Sequence, residues 1–600
     1  MDQARTFALE DDLPRVPLPT VERSCELFLE WCRPLLTADE LRTTEAAVAD
    51  FLKPDSPSHT LHQALAAYDA RPEVASWLDT FWPYRYLGRR DRIALNANFF
   101  FLFQDLGESQ VERASGLIAG ALGYRALIDD ERLPVATRRG TPLSMEQNKY
   151  LFSATRIPGV DIDTARTPYA EAWPGPSRER HVVVLHRGAM YRLDVIGEGG
   201  RPHTMDEIAA GLRAVLDADA PGQSVGCLTS LARAEWAADR QALLQLDPAN
   251  AAALDIIETA LFCVCLEDDR PGDAETAGDL LLYGGRGNRW FDKALSFIVF
   301  ADGTAGINCE HCCLDGTTVV SLVDALHETP AREASGRSGA EGQGTPAPVP
   351  IRFVLDTRLE KAVEDAGDAF ADYGASTATT TVSMDVGTDQ LKALGVSPDG
   401  LAQMAFQIAH RRTKGHVGAT YESIAMRHYR HGRTEAMRVV TPEVVDLLVA
   451  MDEPGADDNA RRAALRAAID AHVARARQCQ AGDAPEQHLW ELLMIQQRQG
   501  AELGATEPLA LYETPGWRIM RDDYLSTSAV PSANVQYFGF GATGQSCIGV
   551  GYALLPNRFN AYLCTAREAG EALQLFADQL REVVSELRAL LAGGSSSLVE

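Results

Sequence analysis

The chain has 600 residues, of which 46% are hydrophobic, and a formal net charge of −28. This length allows roughly two to four globular domains, and the excess of acidic residues argues against nucleic acid or an anionic membrane surface as a partner. No run of about 18 apolar residues occurs, and residues 1–12 contain neither a signal-peptide core nor a basic transit segment. Eleven cysteines, an odd number, favour reduced thiols over a disulfide framework. We therefore expect a soluble, cytoplasmic monomer without a membrane span.

Helix signals dominate the first part of the chain. Prolines make residues 13–19 an extended arm. Thr20 follows as the predicted N-cap of an amphipathic helix whose apolar face carries Leu27, Phe28 and Trp31. We predict that helices continue from there to about residue 130.

Strand signals appear in the next part. Residues 181–195 predict a β-hairpin that turns at Arg187 and Gly188. Residues 250–265 show the apolar spacing of a helix, and the apolar run at 296–300 predicts a strand. That strand should lead to the strongest candidate for a catalytic motif in the sequence.

This motif is a histidine, His311, followed by the pair Asp315 and Gly316. It is typical of a strand that delivers an imidazole to a tight turn. Because neutral imidazole has a pKa of about 6.5, such a histidine can take a proton from a substrate hydroxyl near neutral pH. Asp315 is near enough in sequence to fix its tautomer or hold the turn. The alternative is an ordinary core histidine.

Cysteines at 309, 312 and 313 surround His311 and raise two further interpretations. Zinc binds such ligands. Strand alternation would however send Cys309, His311 and Cys313 to one face and Cys312 to the other, so we favour small buried side chains and predict no metal. Cys313 as a covalent nucleophile remains an alternative that lacks a recognisable second histidine.

The composition changes at residues 328–350, which are rich in Gly, Ala, Pro, Ser and Glu and predict a flexible linker. A strand is predicted at 351–355. Ser397 is the predicted cap of a helix with Leu401, Met404, Ala405 and Ile408 at helical spacing. The last predicted helix buries one stripe, formed by Leu573, Phe576, Leu580, Val583, Leu587 and Leu590.

Several blocks of residues, taken in order, resemble the carnitine/choline acyltransferase family. They are the proline-rich arm, Arg156-Ile157-Pro158-Gly159, Arg289-Trp290, Glu310-His311 with Asp315-Gly316, Ala419-Thr420-Tyr421-Glu422-Ser423, His431-Gly432-Arg433-Thr434-Glu435 and Ser526-Thr527-Ser528. The resemblance covers nearly the whole chain. It implies an α/β fold of two pseudo-symmetric chloramphenicol-acetyltransferase-like domains with an active-site tunnel between them.

We place the domain boundaries accordingly. Residues 1–60 form an N-terminal arm and helices that pack on the C-terminal domain. Residues 61–327 form the catalytic domain with His311, residues 328–350 the linker, and residues 351–600 the C-terminal domain with the acceptor and coenzyme A sites.

The resemblance also assigns roles in catalysis. It implies that His311 is the general base, which lets the acceptor alcohol attack the thioester directly, and that Asp315 orients this base. It further implies that Ser528 steadies the negative oxygen of the tetrahedral intermediate. These are the groups that attack of a hydroxyl on a thioester requires.

For coenzyme A, the resemblance implies contacts from Lys392 and Asp399. Family members place a second lysine where this chain has Thr388. Because coenzyme A is polyanionic, three further cations at 411, 412 and 414 are candidates to supplement the site. Alternatively, these three cations lie at a solvated helix end, where a positive charge interacts favourably with the helix dipole.

For the acceptor, the resemblance implies that Tyr421 and Thr434 hold a carboxylate. The arginine expected as their partner is replaced by Gln487, a neutral amide that cannot supply the same bidentate contact. Arg477 or Arg498 could supply the missing charge. Phe538 matches an aromatic that packs near the acceptor's ammonium group.

One more position concerns the acyl chain. Gln536 falls where short-chain members close the acyl tunnel with a bulky residue, which indicates a short or polar acyl group. We therefore predict an acyl-CoA-dependent O-acyltransferase with a small, carnitine-like alcohol as acceptor. The alternatives are a choline, polyol, secondary-metabolite or carrier-tethered acceptor, or a non-catalytic binding module of the same fold.

Overall fold

The caps that begin the helices are local features of the sequence. In the computed structural model, the Thr20 side chain accepts a hydrogen bond from the backbone N–H of Arg23, and Ser397 accepts one from Gly400. Both satisfy a backbone donor that a helix leaves unpaired at its start. Both predicted caps are confirmed, and the predicted stripe of the last helix is buried as expected.

The structure describes residues 5–80, 82–218, 222–285, 287–328 and 343–593. Most of the predicted linker, residues 329–342, lies outside the described residues. The described helices are α1 (Val21–Cys32), α2 (Ala38–Phe51), α3 (Pro57–Asp69), α4 (Trp82–Tyr86), α5 (Gln110–Asp129), α6 (Met205–Leu216), α7 (Arg233–Leu246), α8 (Pro248–Thr259), α9 (Ala274–Tyr283), α10 (Gly316–Glu328), α11 (Thr357–Ala375), α12 (Thr388–Ala393), α13 (Pro398–Lys414), α14 (Pro442–Asp452), α15 (Asp458–Gln480), α16 (Glu486–Leu503), α17 (Pro515–Ile519) and α18 (Gly570–Gly593).

The strands of the described residues form two large sheets and two small ones. The strands are β1 (Phe99–Phe103), β2 (Thr137–Arg138), β3 (Thr141–Pro142), β4 (Thr155–Ile157), β5 (Thr164–Arg166), β6 (His181–His186), β7 (Ala189–Asp194), β8 (Cys263–Leu266), β9 (Leu295–Val299), β10 (Ala305–Cys309), β11 (Val349–Ile351), β12 (Thr377–Met384), β13 (Thr420–Ala425), β14 (Thr434–Arg438), β15 (Leu525–Val530), β16 (Val535–Phe540), β17 (Ile548–Leu554) and β18 (Phe559–Ala566). The first large sheet has the order β11-β7-β6-β8-β9-β10-β1-β16, and the second has the order β12-β18-β17-β15-β13-β14.

The two large sheets repeat one topology. Parallel neighbours β6, β8 and β9 in the first sheet correspond to β13, β15 and β17 in the second. In each sheet a hairpin partner flanks one side of this trio, β7 or β14, and an antiparallel strand flanks the other, β10 or β18. The sheet then continues with a strand from the start of its own half, β1 or β12. The predicted α/β fold of two pseudo-symmetric halves is therefore confirmed.

One strand crosses between the halves. β16 lies between β15 and β17 in sequence but pairs with β1 of the first sheet, where Phe101 faces Phe538. Gly539 permits this close approach, because a Cβ there would lie only 2.3 Å from the Tyr562 ring and 2.5 Å from the Phe100 ring. The crossing strand joins the two sheets across the region that contains His311.

The N-terminal helices pack on the second half. Phe28 of α1 lies 6.3 Å from Trp517, and Phe51 of α2 lies 5.9 Å from Tyr512, measured between ring centroids. At the other end of the first half, β11 adds to the edge of the first sheet beside β7. No described helix combines the length and apolarity needed to cross a bilayer.

Four predictions of local structure need correction. The strand predicted at 351–355 is instead β11, which ends at Ile351. The predicted helix at 250–265 ends at Thr259, and the apolar run that follows forms β8, because a buried parallel strand is as uniformly apolar as a buried helix segment. The region predicted as helical to residue 130 is interrupted by β1, an aromatic-rich strand. The run at 296–300 forms β9, and the chain reverses at Gly303, whose φ is +90°, before β10 leads to His311. The hairpin at Arg187 and Gly188 is confirmed.

Candidate active site

His311 lies two residues beyond the end of β10, in the loop that precedes α10. Tyr86 from α4 stacks on its imidazole with ring centroids 4.7 Å apart, and Phe99 from β1 meets it edge-on at 5.2 Å. The side chain is surrounded by protein yet keeps 24% of its surface exposed. The strand that precedes it, the loop and two aromatic rings therefore fix the position of the imidazole.

Removal from water lowers the pKa of His311, and the nearby Arg433 guanidinium lowers it further. Asp315 raises the pKa of His311, but not enough to cancel this lowering. The imidazole is therefore neutral at pH 7, the state that a general base requires.

An ion pair lies beside the imidazole. Asp315 accepts hydrogen bonds from Arg433 Nε at 2.8 Å and Nη2 at 3.0 Å, and from the Gln147 amide at 2.7 Å. Its Oδ1 atom is 3.7 Å from His311 Nδ1, which is beyond hydrogen-bond length. Burial alone would raise the pKa of Asp315, but Arg433, His311 and Gln147 together outweigh burial and the pKa is lowered. Asp315 is therefore a fixed negative charge beside the imidazole.

A buried charge network supports the loop from behind. Glu310 accepts a hydrogen bond from the backbone N–H of Cys312 at 3.0 Å and from Arg156 at 3.0 Å. Arg156 also donates to Asp163 at 2.6 Å, and Asp163 accepts from Arg233 at 2.6 Å. Because these charges are buried and mutually paired, they hold the loop in one conformation.

The cysteines around His311 are separated by the end of the strand. Cys309 is fully buried at the end of β10, whereas Cys312 and Cys313 are half-buried in the loop with their sulfurs 3.5 Å apart. Strand alternation therefore does not extend to the last two. Among the described residues, the ligand atoms that converge as a metal ion requires belong to Asp399, Glu422 and His472 instead.

The second sheet presents one face toward His311. Register pairs Tyr421 with Ser526 and with Arg438, and strand alternation places Ser528 and Thr434 on the same face. The pKa of Tyr421 is raised by burial and, next in size, by the neighbouring Tyr86 phenol, which itself stacks on the imidazole. Tyr421, Thr434 and Ser528 thus share the face of the sheet nearest His311.

The opposite face packs on helices. Gln403 from α13 donates to Thr527 at 2.9 Å, and Glu422 is 2.7 Å from His472 Nε2. Asp399 lies at the first turn of α13 and accepts a hydrogen bond from the Tyr552 hydroxyl at 2.7 Å. Burial and the neighbouring Asp399 raise the pKa of Glu422 to about 7. Asp399 is therefore separated from His311 by the thickness of the second sheet.

Lys392 is exposed on α12, just before the turn that leads to α13. Arg466 donates to the carbonyl oxygens of Leu394 and Gly395 in that turn, at 3.4 and 3.5 Å. The turn therefore carries two cations on its surface.

The cations at 411, 412 and 414 lie at the other end of α13. At 1.5 Å per residue, that end is roughly 20 Å from Asp399. Arg411 pairs with Asp452 and Arg412 with Glu586. The structure therefore separates these cations from Lys392 and favours the role of a helix end.

A cation that sequence reasoning missed lies beside Gln487, one of the candidate acceptor residues. Gln487 is 2% exposed, and its amide donates to the carbonyl oxygen of Thr434 at 3.3 Å. Its carbonyl accepts a short hydrogen bond from Arg85 of α4. Arg477 and Arg498, which the sequence suggested as sources of the missing charge, are both exposed. Arg498 stacks on Tyr84 instead.

Phe538 of β16 belongs to an aromatic cluster with Phe99 and Phe101, at centroid distances of 6.2 and 5.4 Å. Because Phe99 also contacts His311, this cluster forms part of the wall near the imidazole. Gln536 donates from its amide to the carbonyl oxygen of Phe103 at 2.9 Å, so its side chain is held against β1.

Comparison with known proteins gives the family. The sequence pattern described as Choline/Carnitine o-acyltransferase matches residues 16–582. The chain belongs to this family. This acyltransferase is 29% identical to human carnitine O-acetyltransferase over 98% of its own length and 95% of that protein. It is 31% identical to human peroxisomal carnitine O-octanoyltransferase over 89% of each chain. It is therefore an acyl-CoA-dependent O-acyltransferase that uses acyl-CoA as a substrate and a hydroxyl compound as the acceptor.

Among solved structures, the Fusarium sporotrichioides trichothecene 15-O-acetyltransferase aligns with a TM-score of 0.36 and 11% identity. The alignment covers 83% of this acyltransferase and 93% of that chain. The cytoplasmic location, the monomeric state and the roles of individual residues stay predictions.

Four residues near the candidate site were not assigned a role from the sequence: Tyr86, Gln147, Arg433 and Arg85. Arg433 stands inside one of the motif blocks, directly before Thr434, so its position was available as a signal. The other three reach the site from α4 and from the segment before β4, and no local pattern marks them.

The pKa of His311 makes a kinetic prediction. Because burial lowers this pKa, the acidic limb of the kcat/KM profile of this acyltransferase should have its midpoint below 6.5. Asp315→Asn should move the midpoint to still lower pH, because Asp315 stabilises the protonated imidazole. A pH profile of coenzyme A release measures both, and a midpoint that rises in Asp315→Asn contradicts the assignment.

Proposed function

We propose that this acyltransferase moves an acyl group between coenzyme A and the hydroxyl of a small, carnitine-like alcohol by direct general-base catalysis. The observation that carries the proposal is the state of His311, a neutral imidazole that is held by aromatic rings and keeps 24% of its side-chain surface exposed. A neutral, positioned imidazole is the group that can remove the hydroxyl proton of an acceptor at pH 7.

The proton path follows from this arrangement. The acceptor hydroxyl gives its proton to His311 while its oxygen bonds to the thioester carbonyl carbon. The tetrahedral intermediate then collapses, the C–S bond breaks, and the imidazolium returns the proton to the coenzyme A sulfur. The fixed charge of Asp315 stabilises the imidazolium between these steps. Ser528, half-buried on the facing sheet, donates a hydrogen bond to the oxyanion.

We place coenzyme A across the turn between α12 and α13. Lys392 supplies one cation there, and Arg466 supplies a second that compensates for Thr388. Asp399 lies at the start of the following helix. In a chain with a net charge of −28, such a local pair of cations is what a polyanionic ligand requires.

Choline is the second candidate acceptor, and the observation that favours it is Gln487. This residue is neutral and buried, and by itself it offers no charge to a carboxylate.

Release of free thiol from acetyl-, octanoyl- and palmitoyl-CoA tests the proposal, each donor being assayed with carnitine, with choline and without an acceptor. We expect carnitine-dependent release and no stoichiometric burst of thiol when the acceptor is omitted. A burst that disappears in Cys313→Ser would instead show an acyl-enzyme and contradict direct transfer. Cys312→Ser is the matched control, since its sulfur lies 3.5 Å from that of Cys313.

A further inference from the structure

Two of the eleven cysteines differ from the others in their exposure. All eleven lie in the described part of the chain, and nine of them are buried. The exceptions are Cys312 and Cys313, which are neighbours in the loop that carries His311. The two thiols that a reagent in solution reaches most easily are therefore adjacent to each other and to the candidate base.

The two sulfurs are close enough to bond to each other. Their Sγ atoms are 3.5 Å apart, and rotation about the Cα–Cβ bonds can bring them to the disulfide length of about 2.0 Å. The hydrogen bond with Cys313 and, next in size, burial raise the pKa of the Cys312 thiol above its ordinary value. Because Cys312 keeps its proton, we assign Cys313 as the sulfur that attacks an oxidant and Cys312 as the one that completes the bond.

A bond between these sulfurs would close a ring of eight atoms that contains the peptide group between Cys312 and Cys313. The carbonyl oxygen of that peptide group accepts a hydrogen bond from Arg433 at 3.2 Å. Arg433 also donates to the carbonyl oxygen of His311 at 3.3 Å and to Asp315 at 2.8 Å. Ring closure therefore acts on the contacts that position the candidate base.

Such a bond should also be easy to reverse. The Cα atoms of adjacent residues are about 3.8 Å apart, whereas those joined by ordinary disulfides are about 4.4–6.8 Å apart. The ring is therefore strained, and strained or exposed disulfides are the ones that thiols reduce most readily.

We propose that Cys312 and Cys313 form a site of reversible oxidation, at which a hydroperoxide converts the pair into a vicinal disulfide and thereby lowers the transferase activity. Formation of this disulfide is independent of the proposed function. Its effect on turnover rests on the proposed role of His311 as the base.

The oxidation takes place in two steps. The Cys313 thiolate attacks one oxygen of the hydroperoxide, the O–O bond breaks, and the other oxygen leaves as an alcohol, or as water from hydrogen peroxide, after taking up a proton. Cys312 then attacks the sulfur of the resulting sulfenic acid, the S–O bond breaks, and the hydroxide leaves as water with the Cys312 proton. The two thiols lose two electrons and two protons in all, and the hydroperoxide gains them.

The first experiment detects the disulfide directly. Wild-type protein is treated with hydrogen peroxide, the excess is removed with catalase, and the unfolded chain is alkylated with iodoacetamide and digested with trypsin. Cys309 lies on the same tryptic peptide and is fully buried, so it serves as an internal control. Mass spectrometry should find one alkyl group on this peptide, at Cys309, and three alkyl groups when dithiothreitol is added before alkylation.

The second experiment measures activity through the ultraviolet absorbance of the acyl-CoA thioester, which requires no thiol reagent. Oxidation should lower the kcat of the wild type about 10- to 100-fold, as expected when a catalytic group is slightly misplaced, and dithiothreitol should restore it. The double variant Cys312→Ser/Cys313→Ser is the matched control. It should keep its kcat before and after peroxide treatment, and thermal unfolding verifies its fold.

Each outcome has a distinct meaning. Three alkyl groups after peroxide treatment, or oxygen added to the peptide in place of a disulfide, overturns the oxidation site. A disulfide that leaves kcat unchanged, or an equal loss of kcat in the double variant, overturns the link to His311. Reduced wild-type protein that transfers no acyl group refutes the proposed function, whereas the alkylation pattern still decides whether the disulfide forms.

Discussion

Replacing His311 by glutamine should lower kcat by about 10²- to 10⁴-fold, the contribution expected of a general base. Glutamine approximates the size and polarity of the imidazole but cannot take up the acceptor proton. The contacts with Tyr86 and Phe99 are mainly packing contacts, so the fold should survive the change. Free-thiol release from acyl-CoA in the presence of carnitine measures the effect.

His416→Gln is the matched control, because it makes the same chemical change at an exposed histidine beyond the end of α13. Its kcat should equal that of the wild type. If His311→Gln keeps more than about one per cent of wild-type activity, a different group removes the proton and the base assignment is wrong.

Replacing Arg433 by glutamine should destabilise the protein by about 3–5 kcal/mol, because it leaves the buried Asp315 carboxylate without its cationic partner. Asp315 is 4% and Arg433 13% exposed, so water cannot replace the lost contact. Arg433 also donates to the carbonyl oxygens of His311 and Cys312, at 3.3 and 3.2 Å. Activity should therefore fall together with stability, since the loop that carries the base loses its anchor to the second half.

Chemical denaturation followed by circular dichroism measures the free energy of unfolding, and thiol release measures the activity. Arg411→Gln is the control, because its ion pair with Asp452 is exposed and should contribute less than about 1 kcal/mol. Equal unfolding free energies for Arg433→Gln and Arg411→Gln would show that the Asp315 ion pair does not hold the two halves together.

Local sequence features accounted for much of the secondary structure. The caps at Thr20 and Ser397 and the turn at Arg187 and Gly188 form through contacts within a few residues, so their residue types predict them. The stripe of the last helix follows from its 3.6-residue period. Periodicity failed at 260–266, because a uniformly apolar segment fits a buried strand and a buried helix equally well.

The candidate base and the acyltransferase family were also accessible from the sequence, since His311 and the motif blocks are contiguous in the chain. The groups that surround the candidate base were not accessible from the sequence. Tyr86, Gln147 and Arg433 reach His311 and Asp315 from three separate segments, and only the tertiary structure brings those segments together.

Gln487 shows most directly what the tertiary structure decided. Its identity alone indicates a missing charge, and the sequence suggested cations from its own helix or from the preceding one. The fold instead brings Arg85 to it from the other end of the chain. The sequence by itself determined the family and pointed to the candidate base, because both depend on contiguous residues. Only tertiary structure decided which cation lies beside Gln487, because electrostatic interactions depend on distances in space and not on separation along the chain.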